Sequence, residues 1–212
     1  MYYDMDMNLA PHQMHPMELI SQGKGNTDLI SGYTSSSIGI SEQVTLNVGV
    51  NAQVLTLNNS WTLEPRAGIK WQFSPKSSFA LAYGLHSRME KMDVYFVKTQ
   101  GTGDRSVNKD LGFTRAHHVM LSYGFKVSDN MNMKIEPYFQ QLYDVPVISD
   151  SSYSVLNRRD FYVENALVNR GKGRNIGVDI TLEQYLNRGF YYLVTASVFD
   201  SKYKGGDGVW HN

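Results

Sequence analysis

The stretch LEPRAGIKWQFSPKSSFALAYGLHSRME, residues 63–90, decides the fold of this chain. Its second half places Phe79, Leu81 and Tyr83 in alternation with small or polar residues. Since successive side chains of a β-strand point to opposite faces, this half predicts a strand with one apolar face. The first half repeats the pattern, and SPKSS between them (residues 74–78) has the composition of a turn. The stretch therefore predicts an antiparallel hairpin with an apolar face and a polar face.

The same pattern recurs along the chain. A weak strand over residues 29–40 precedes clear alternation over 44–54, and further alternating hairpins cover 118–140 and 175–198. Their arms exceed the usual strand length of about 5–6 residues and reach the roughly 9–11 residues that a tilted membrane-spanning strand needs. We therefore predict about eight strands in four hairpins, with Pro65 and Pro137 as local irregularities because proline cannot donate to a ladder.

Short turns lie at one end of these hairpins and long polar segments at the other. The long segments are predicted at about residues 1–25, 91–113 and 146–172, and the first shows no strand periodicity. Near one short turn, Trp71 and Phe73 cluster where a membrane barrel would place an aromatic girdle. We expect the long segments to face outward, because outer-membrane barrels keep their short turns in the periplasm.

Charged residues recur on the polar faces of the predicted strands, which suits a wet or protein-filled lumen and not a dry core. The side chains expected to face the lumen or a plug are Glu64, Arg66, Lys70, His86, Arg88, Lys134, Glu136, Asp179 and Glu183. A lipid-facing sheet must leave no open edge, because the bilayer offers unpaired backbone groups no water. The predicted fold class is thus all-β, an antiparallel transmembrane β-barrel segment forming a single partial domain over residues 1–212.

Composition excludes several functions. Lys plus Arg and Asp plus Glu balance at 20 each, so no bulk charge favours nucleic acid, and the absence of cysteine excludes disulfides and thiolate metal sites. No nucleophile, base and orienting group can be assembled from the spacings, so we predict no enzyme, no catalytic residue and no cofactor. His12 and His15 near several methionines could hold a soft metal, but we interpret them as surface-loop residues and predict no metal site.

One part of the chain resembles the barrel of TonB-dependent outer-membrane receptors, particularly the Bacteroidetes type. This part is residues 63–96, LEPRAGIKWQFSPKSSFALAYGLHSRMEKMDVYF. Residues 171–212 are similar to late barrel strands of that group, and residues 15–33 to an earlier loop and strand. The resemblance implies an internal fragment of a barrel of about 22 strands, with the plug domain and the TonB box outside this segment. It also implies a location in the outer membrane of a Gram-negative bacterium, in contact with lipid, with a plug from the same polypeptide and with TonB.

The implied function is uptake of a scarce nutrient, such as an iron chelate, cobalamin or an oligosaccharide. Binding residues often lie on loops held by a rigid scaffold. The candidate ligand contacts in the long segments are Tyr95, Phe96, Arg105, Arg158, Arg159 and Tyr162. Two alternatives remain open from the sequence: a small eight-stranded outer-membrane adhesin or structural barrel, and a soluble β-sandwich that binds carbohydrate.

Overall fold

A computed structural model describes residues 1–9, 17–98, 106–158 and 162–212 of the chain. The strands are β1 Tyr2–Leu9, β2 Glu18–Asn26, β3 Leu29–Gly39, β4 Val44–Leu55, β5 Ser60–Ser74, β6 Ser77–Arg88, β7 Thr114–Ser128, β8 Met131–Val147, β9 Val168–Asn187, β10 Phe190–Lys204 and β11 Trp210–His211. One helical turn, α1 Met92–Tyr95, and a 3-10 turn, Val155–Asn157, interrupt the long connections. No helix among the described residues is long and apolar enough to cross a membrane.

Strands β3 to β11 form one antiparallel sheet in which every strand pairs with its neighbours in the sequence. Eight of the nine are long, and they make the four predicted hairpins: β3–β4, β5–β6, β7–β8 and β9–β10. At the β9–β10 turn, Arg188 and Gly189 both have positive φ, as a two-residue turn matching the twist of a hairpin requires. The predicted all-β, antiparallel fold is confirmed.

The sheet is not closed within the part of the chain that the structure describes. β3 lies at one edge, and β10 with the two-residue β11 lies at the other. Neither a closed eight-stranded barrel nor a two-layered sandwich is formed by these residues.

The two faces of the sheet differ as the alternation predicted. On the face that we call outer, the apolar side chains of adjacent strands lie opposite one another, for example Leu81 opposite Ile69 and Leu121. These side chains remain solvent-accessible, Leu81 at 41% and Leu121 at 37%. Register and alternation place all nine residues predicted to face a lumen on the opposite face, which we call inner.

Each proline lies beside an interruption of backbone pairing with one neighbouring strand, while pairing with the other neighbour continues through it. Pairing between β5 and β6 stops at Arg66 opposite Gly84, next to Pro65. Between β7 and β8 the ladder has a two-residue gap beside Pro137, and the pairs on either side of the gap share one register. Because proline has no N–H to donate, these gaps are the local irregularities that the sequence predicted.

The prediction that residues 1–25 lack strand structure was wrong. β1 and β2 form an antiparallel hairpin, which attaches to residues 96–98 through Gln22 N–H to the Phe96 carbonyl oxygen (3.2 Å) and Lys98 N–H to the Ile20 carbonyl oxygen (2.6 Å). The physical reason is that exposed and partly buried residues alternate along β1. Every second residue from Tyr3 to Leu9 is partly buried, and the residues between them, such as Asp4, are exposed.

Candidate functional site

The principal apolar core lies at one end of the sheet, among its long connections. We call this end the loop end, and the end with the short turns the turn end. The buried side chains there form what we call the loop core: Leu55, Val94, Tyr95, Phe96, Val97, Leu111, Phe113, Val163 and Leu167. Since they come from β4 and from residues 89–113 and 148–167, these connections share one hydrophobic core and are folded against each other.

The segment MDVYFV, residues 92–97, supplies the centre of the loop core. α1 and the residues that follow it bury Val94, Tyr95, Phe96 and Val97. The ring of Tyr3 in β1 stacks on Phe96 with centroids 4.6 Å apart. A Cβ at Gly23 would lie 2.6 Å from Phe96 Cδ1, so the close approach of β2 depends on a residue without a side chain.

Tyr95 is fully buried, and its hydroxyl oxygen accepts a hydrogen bond from Glu90 N–H at 3.2 Å. The Glu90 carboxylate in turn accepts a bond of 2.8 Å from the Thr114 hydroxyl at the start of β7. Burial raises the pKa of Tyr95 to about 12, because an ionised phenol would be poorly solvated there. Tyr95 is therefore held neutral at the point where residues 89–113 leave β6 and rejoin the sheet.

Three asparagine side chains at the loop end form hydrogen bonds with backbone groups of segments distant in the sequence. Buried Asn108 donates to the Asn165 carbonyl oxygen (3.0 Å) and accepts from Leu167 N–H (2.7 Å). Asn58 donates to the carbonyl oxygens of residues 109 and 111, and Asn169 accepts from residue 112 N–H at 2.9 Å. Each bond links segments more than 50 positions apart, so these amides fix one connection against another.

The six predicted ligand contacts lie in different settings. Tyr95 and Phe96 are buried in the loop core, which leaves them no surface for a ligand while the connections stay folded. Arg158 pairs with Asp93 at 3.4 Å, with 15% of its side chain exposed, and Tyr162 is half-buried. Arg105 and Arg159 lie outside the described residues, as do His12 and His15.

A second feature is a concavity of about 950 Å³ along the inner face of β3 to β7. Its floor is made of small residues such as Gly68 and Ala82, and Arg66, His86 and His118 line it. The ring centroids of His86 and His118 lie 6.2 Å apart, and the ring of Tyr138 is perpendicular to that of His118 at the same centroid distance. The concavity offers guanidinium, imidazole and amide hydrogen-bonding groups above a floor of small residues.

Glu64 closes the gap that Pro65 leaves between β5 and β6. Its carboxylate accepts hydrogen bonds from Asn51 (3.1 Å), Gln53 (2.9 Å) and Arg66 (3.0 Å). It also accepts from both the backbone N–H and the hydroxyl of Ser87. The side chain of Glu64 is 2% exposed, and its negative charge is compensated by these donors within the sheet. Arg66 has 50% of its side chain exposed, and it lines the concavity.

Sequence reasoning missed Asn58, Asn108 and Asn169, whose partners are backbone atoms that no sequence pattern reveals. The apolar run over residues 92–97 was the available signal for a core among the connections. In the part of the chain that the structure describes, no group of three or more His, Asp or Glu side chains is arranged to bind a metal ion.

The fold, an open antiparallel sheet of long strands, is similar to part of the β-barrel of solved outer-membrane proteins. No family model and no curated protein matches the chain. Among solved structures it is similar to the FrpB iron transporter from Neisseria meningitidis (F3-3 variant), with 16% identity over 86% of the chain and a TM-score of 0.59. It is also similar to the outer membrane transporter YddB from Escherichia coli, with 15% identity over 90% of the chain and a TM-score of 0.64. The chain spans 27% of the length of each of these two proteins.

Proposed function

We propose that this chain forms part of the barrel wall of a TonB-dependent outer-membrane transporter, which takes up a scarce nutrient such as an iron chelate, cobalamin or an oligosaccharide. The observation that carries the proposal is the two-faced sheet, whose accessible apolar face is wider than a soluble monomer normally exposes. Similarity to transporter barrels supports it. The protein would lie in the outer membrane of a Gram-negative bacterium, and the sequence resemblance favours the Bacteroidetes type.

The outer face has the dimensions of a membrane-spanning band. Trp61 and Trp71 lie on this face of β5, ten residues apart, with 65% and 48% exposed. At about 3.3 Å per residue they are roughly 33 Å apart along the strand, and a tilt of about 40° reduces this to about 25 Å across the bilayer. That is the height of the apolar band in outer-membrane barrels, with an aromatic residue at each boundary.

The inner face would then contact a plug from the same polypeptide, with TonB acting on the plug. Charges on this face, including Arg66 above the concavity and the Lys134–Glu136 pair at 3.3 Å, provide polar contacts for such a domain. An apolar core could not accommodate them at that density. The chain's own contribution to transport is a rigid wall with polar positions facing the lumen.

Nutrient recognition is proposed at the loop end, where Arg158 and Tyr162 retain accessible surface and Arg105 and Arg159 belong to the same connections. In the intact polypeptide, Arg159→Ala combined with Tyr162→Ala should slow growth on the limiting nutrient without reducing barrel assembly. Unchanged growth on an iron chelate, cobalamin and an oligosaccharide, each supplied as the limiting source, would contradict recognition at these residues.

The membrane assignment is tested by placing arginine on either face of one strand. Val119 lies on the outer face, opposite Tyr83 and Phe139, in the row of paired residues that includes Ala67, which is six residues from Trp61 and four from Trp71. Val119→Arg in liposomes should lower the free energy of unfolding by about 2–4 kcal/mol, because the charge would lie near the bilayer midplane.

The matched control is Met120→Arg, one residue further along on the inner face, where Met120 lines the concavity. Its cost should be clearly smaller, because the guanidinium there meets water or protein polar groups. Urea unfolding of the intact polypeptide, refolded into liposomes, gives both values. Equal costs at the two positions would contradict a lipid-facing outer face.

A further inference from the structure

We propose that the outer face near the loop end binds the phosphate groups of a lipid headgroup. The site consists of Lys172, Arg174, Lys202 and Lys204, which we call the basic cluster. The inference rests on the proposed membrane placement of the sheet. It adds a specific lipid contact that is separate from nutrient uptake.

The sheet register brings the four cations together. Lys172 lies directly opposite Lys204, and Arg174 directly opposite Lys202, on adjacent strands β9 and β10. Alternation along β9 puts Lys172 and Arg174 on the same face as Ile176, which begins the apolar band and is 51% exposed. The basic cluster therefore follows the apolar band directly, at the height where headgroups would begin.

Charge within the basic cluster is poorly balanced. Like charges directly opposite each other on neighbouring strands repel and destabilise the pair. The nearby carboxylate is Asp200, 4.0 Å from Arg174 Nη2 and 3.9 Å from Lys202 Nζ. Four cations and one anion leave a net charge of +3, and no carboxylate on β9 or β10 pairs with Lys172 or Lys204 among the described ion pairs. An anion bound between the strands would relieve this repulsion.

Arg174 presents an accessible guanidinium at the basic cluster, with 43% of its side chain exposed. The guanidinium carbon lies 5.7 Å from the centre of the Trp210 ring, which restricts the orientation of the guanidinium. A planar guanidinium suits a phosphate, which can accept two parallel hydrogen bonds from it, while lysines add point charges.

Trp210 supports a lipid as the source of the phosphate. It pairs with Lys204 across β10 and β11, and 43% of it is exposed. Tryptophan is enriched at the level of the headgroups, where its ring meets both apolar and polar surroundings. A phosphorylated lipid could place its phosphate on the basic cluster and its acyl chains against Ile176 and Val198, whereas free phosphate would contact the charges alone.

The test uses the intact polypeptide in detergent micelles and hexa-acylated lipid A carrying two phosphates as the probe. Lys172→Gln combined with Lys204→Gln should weaken binding roughly 30-fold, because each cation near a charged membrane surface contributes about fivefold in affinity. Lys91→Gln combined with Lys109→Gln removes two exposed charges from residues 89–113 and is the matched control, expected to change binding less than twofold.

Three further measurements separate the outcomes. Lipid A stripped of both phosphates should bind wild type and variant equally weakly, and millimolar inorganic phosphate should not displace intact lipid A. Without lipid, the Lys172/Lys204 variant should unfold no more easily than wild type, because the substitution removes repulsion.

Equal binding of both lipid forms, or binding of neither form, would refute the basic cluster. Either result would leave the membrane placement intact, because Val119→Arg and Met120→Arg test that placement separately. Displacement by inorganic phosphate would make the site one for the free ion. A variant that is unstable without lipid would show that these lysines stabilise the sheet instead.

Discussion

Asn108→Ala should open the contact between the two long connections. The side chain of Asn108 is buried, and its two hydrogen bonds to Asn165 and Leu167 both go to backbone groups of the other connection. Alanine would leave the buried Leu167 N–H without its acceptor and the part-buried Asn165 carbonyl oxygen without its donor. An unsatisfied buried group costs about 1–3 kcal/mol, so we expect the local free energy of opening to fall by about 2–4 kcal/mol.

Hydrogen exchange at the Leu167 amide measures this directly, since about 1.4 kcal/mol corresponds to a factor of ten. Protection should fall by roughly 30-fold to several hundred-fold, while amides in the centre of β7 should stay protected. Asn165→Ala is the matched control, because Asn165 contributes its backbone carbonyl and its side chain is exposed. In Asn108→Asp, protection of the Leu167 amide should lie between the values for these two variants. Aspartate keeps an acceptor for Leu167 N–H but has no donor for the Asn165 carbonyl oxygen.

Equal exchange at Leu167 in Asn108→Ala and Asn165→Ala would refute the reasoning, because it would mean that the side-chain bonds of Asn108 contribute nothing to closure. Loss of protection throughout the sheet in Asn108→Ala would also contradict it, since the structure confines these bonds to the loop end.

Burial raises the pKa of Tyr95 from 10.0 to about 12, so the neutral phenol stabilises the loop core fully below pH 10 and this contribution is lost as the pH rises through 12. Proteolysis of the connections should therefore accelerate between pH 10 and 12 in wild type and less so in Tyr95→Phe; identical profiles would contradict a buried phenol. Glu64→Ala should lower the free energy of unfolding by roughly 3 kcal/mol, because it leaves Arg66 and the Ser87 N–H without their carboxylate. Glu42→Ala, in an exposed turn, should change it by less than about 0.5 kcal/mol, and similar losses in the two variants would exclude a special role for Glu64. All three tryptophans lie on the outer face, so quenching by brominated lipids should place them near the two bilayer interfaces; quenching strongest at the bilayer centre would contradict this.

The sheet could be predicted from the sequence because its physics is local. Alternation between apolar and polar residues follows from strand geometry, and the short turns have a recognisable composition, so the four hairpins and the shared face of Arg66, Lys70 and Glu136 were accessible without a structure. Even the prolines could be interpreted correctly, because the missing N–H has the same effect in any strand.

The loop end could not be predicted in the same way, because its contacts join distant segments. Asn108 and Leu167 are 59 positions apart, and nothing in either local sequence indicates the other. Tyr95 and Phe96 were interpreted as ligand contacts because aromatic residues in an outer connection were expected to be exposed. The alternation of β1 was present in the sequence, with Met5 and Met7 placed between the polar residues Asp4, Asp6 and Asn8, but the abundance of methionine and histidine obscured it.

The shared loop core means that the connections are not interchangeable modules. A chimera that received only residues 89–113 from another protein of similar fold would lose Val94 and Val97 and leave Leu167 without its packing partners in the loop core. It should therefore misfold at its loop end even with every strand correct. Transplanting all the connections that contribute to the loop core, together with the β1–β2 hairpin, would keep the packing intact. Natural sequence change at this end is subject to the same constraint, since a larger side chain contributed by one connection requires compensation in another.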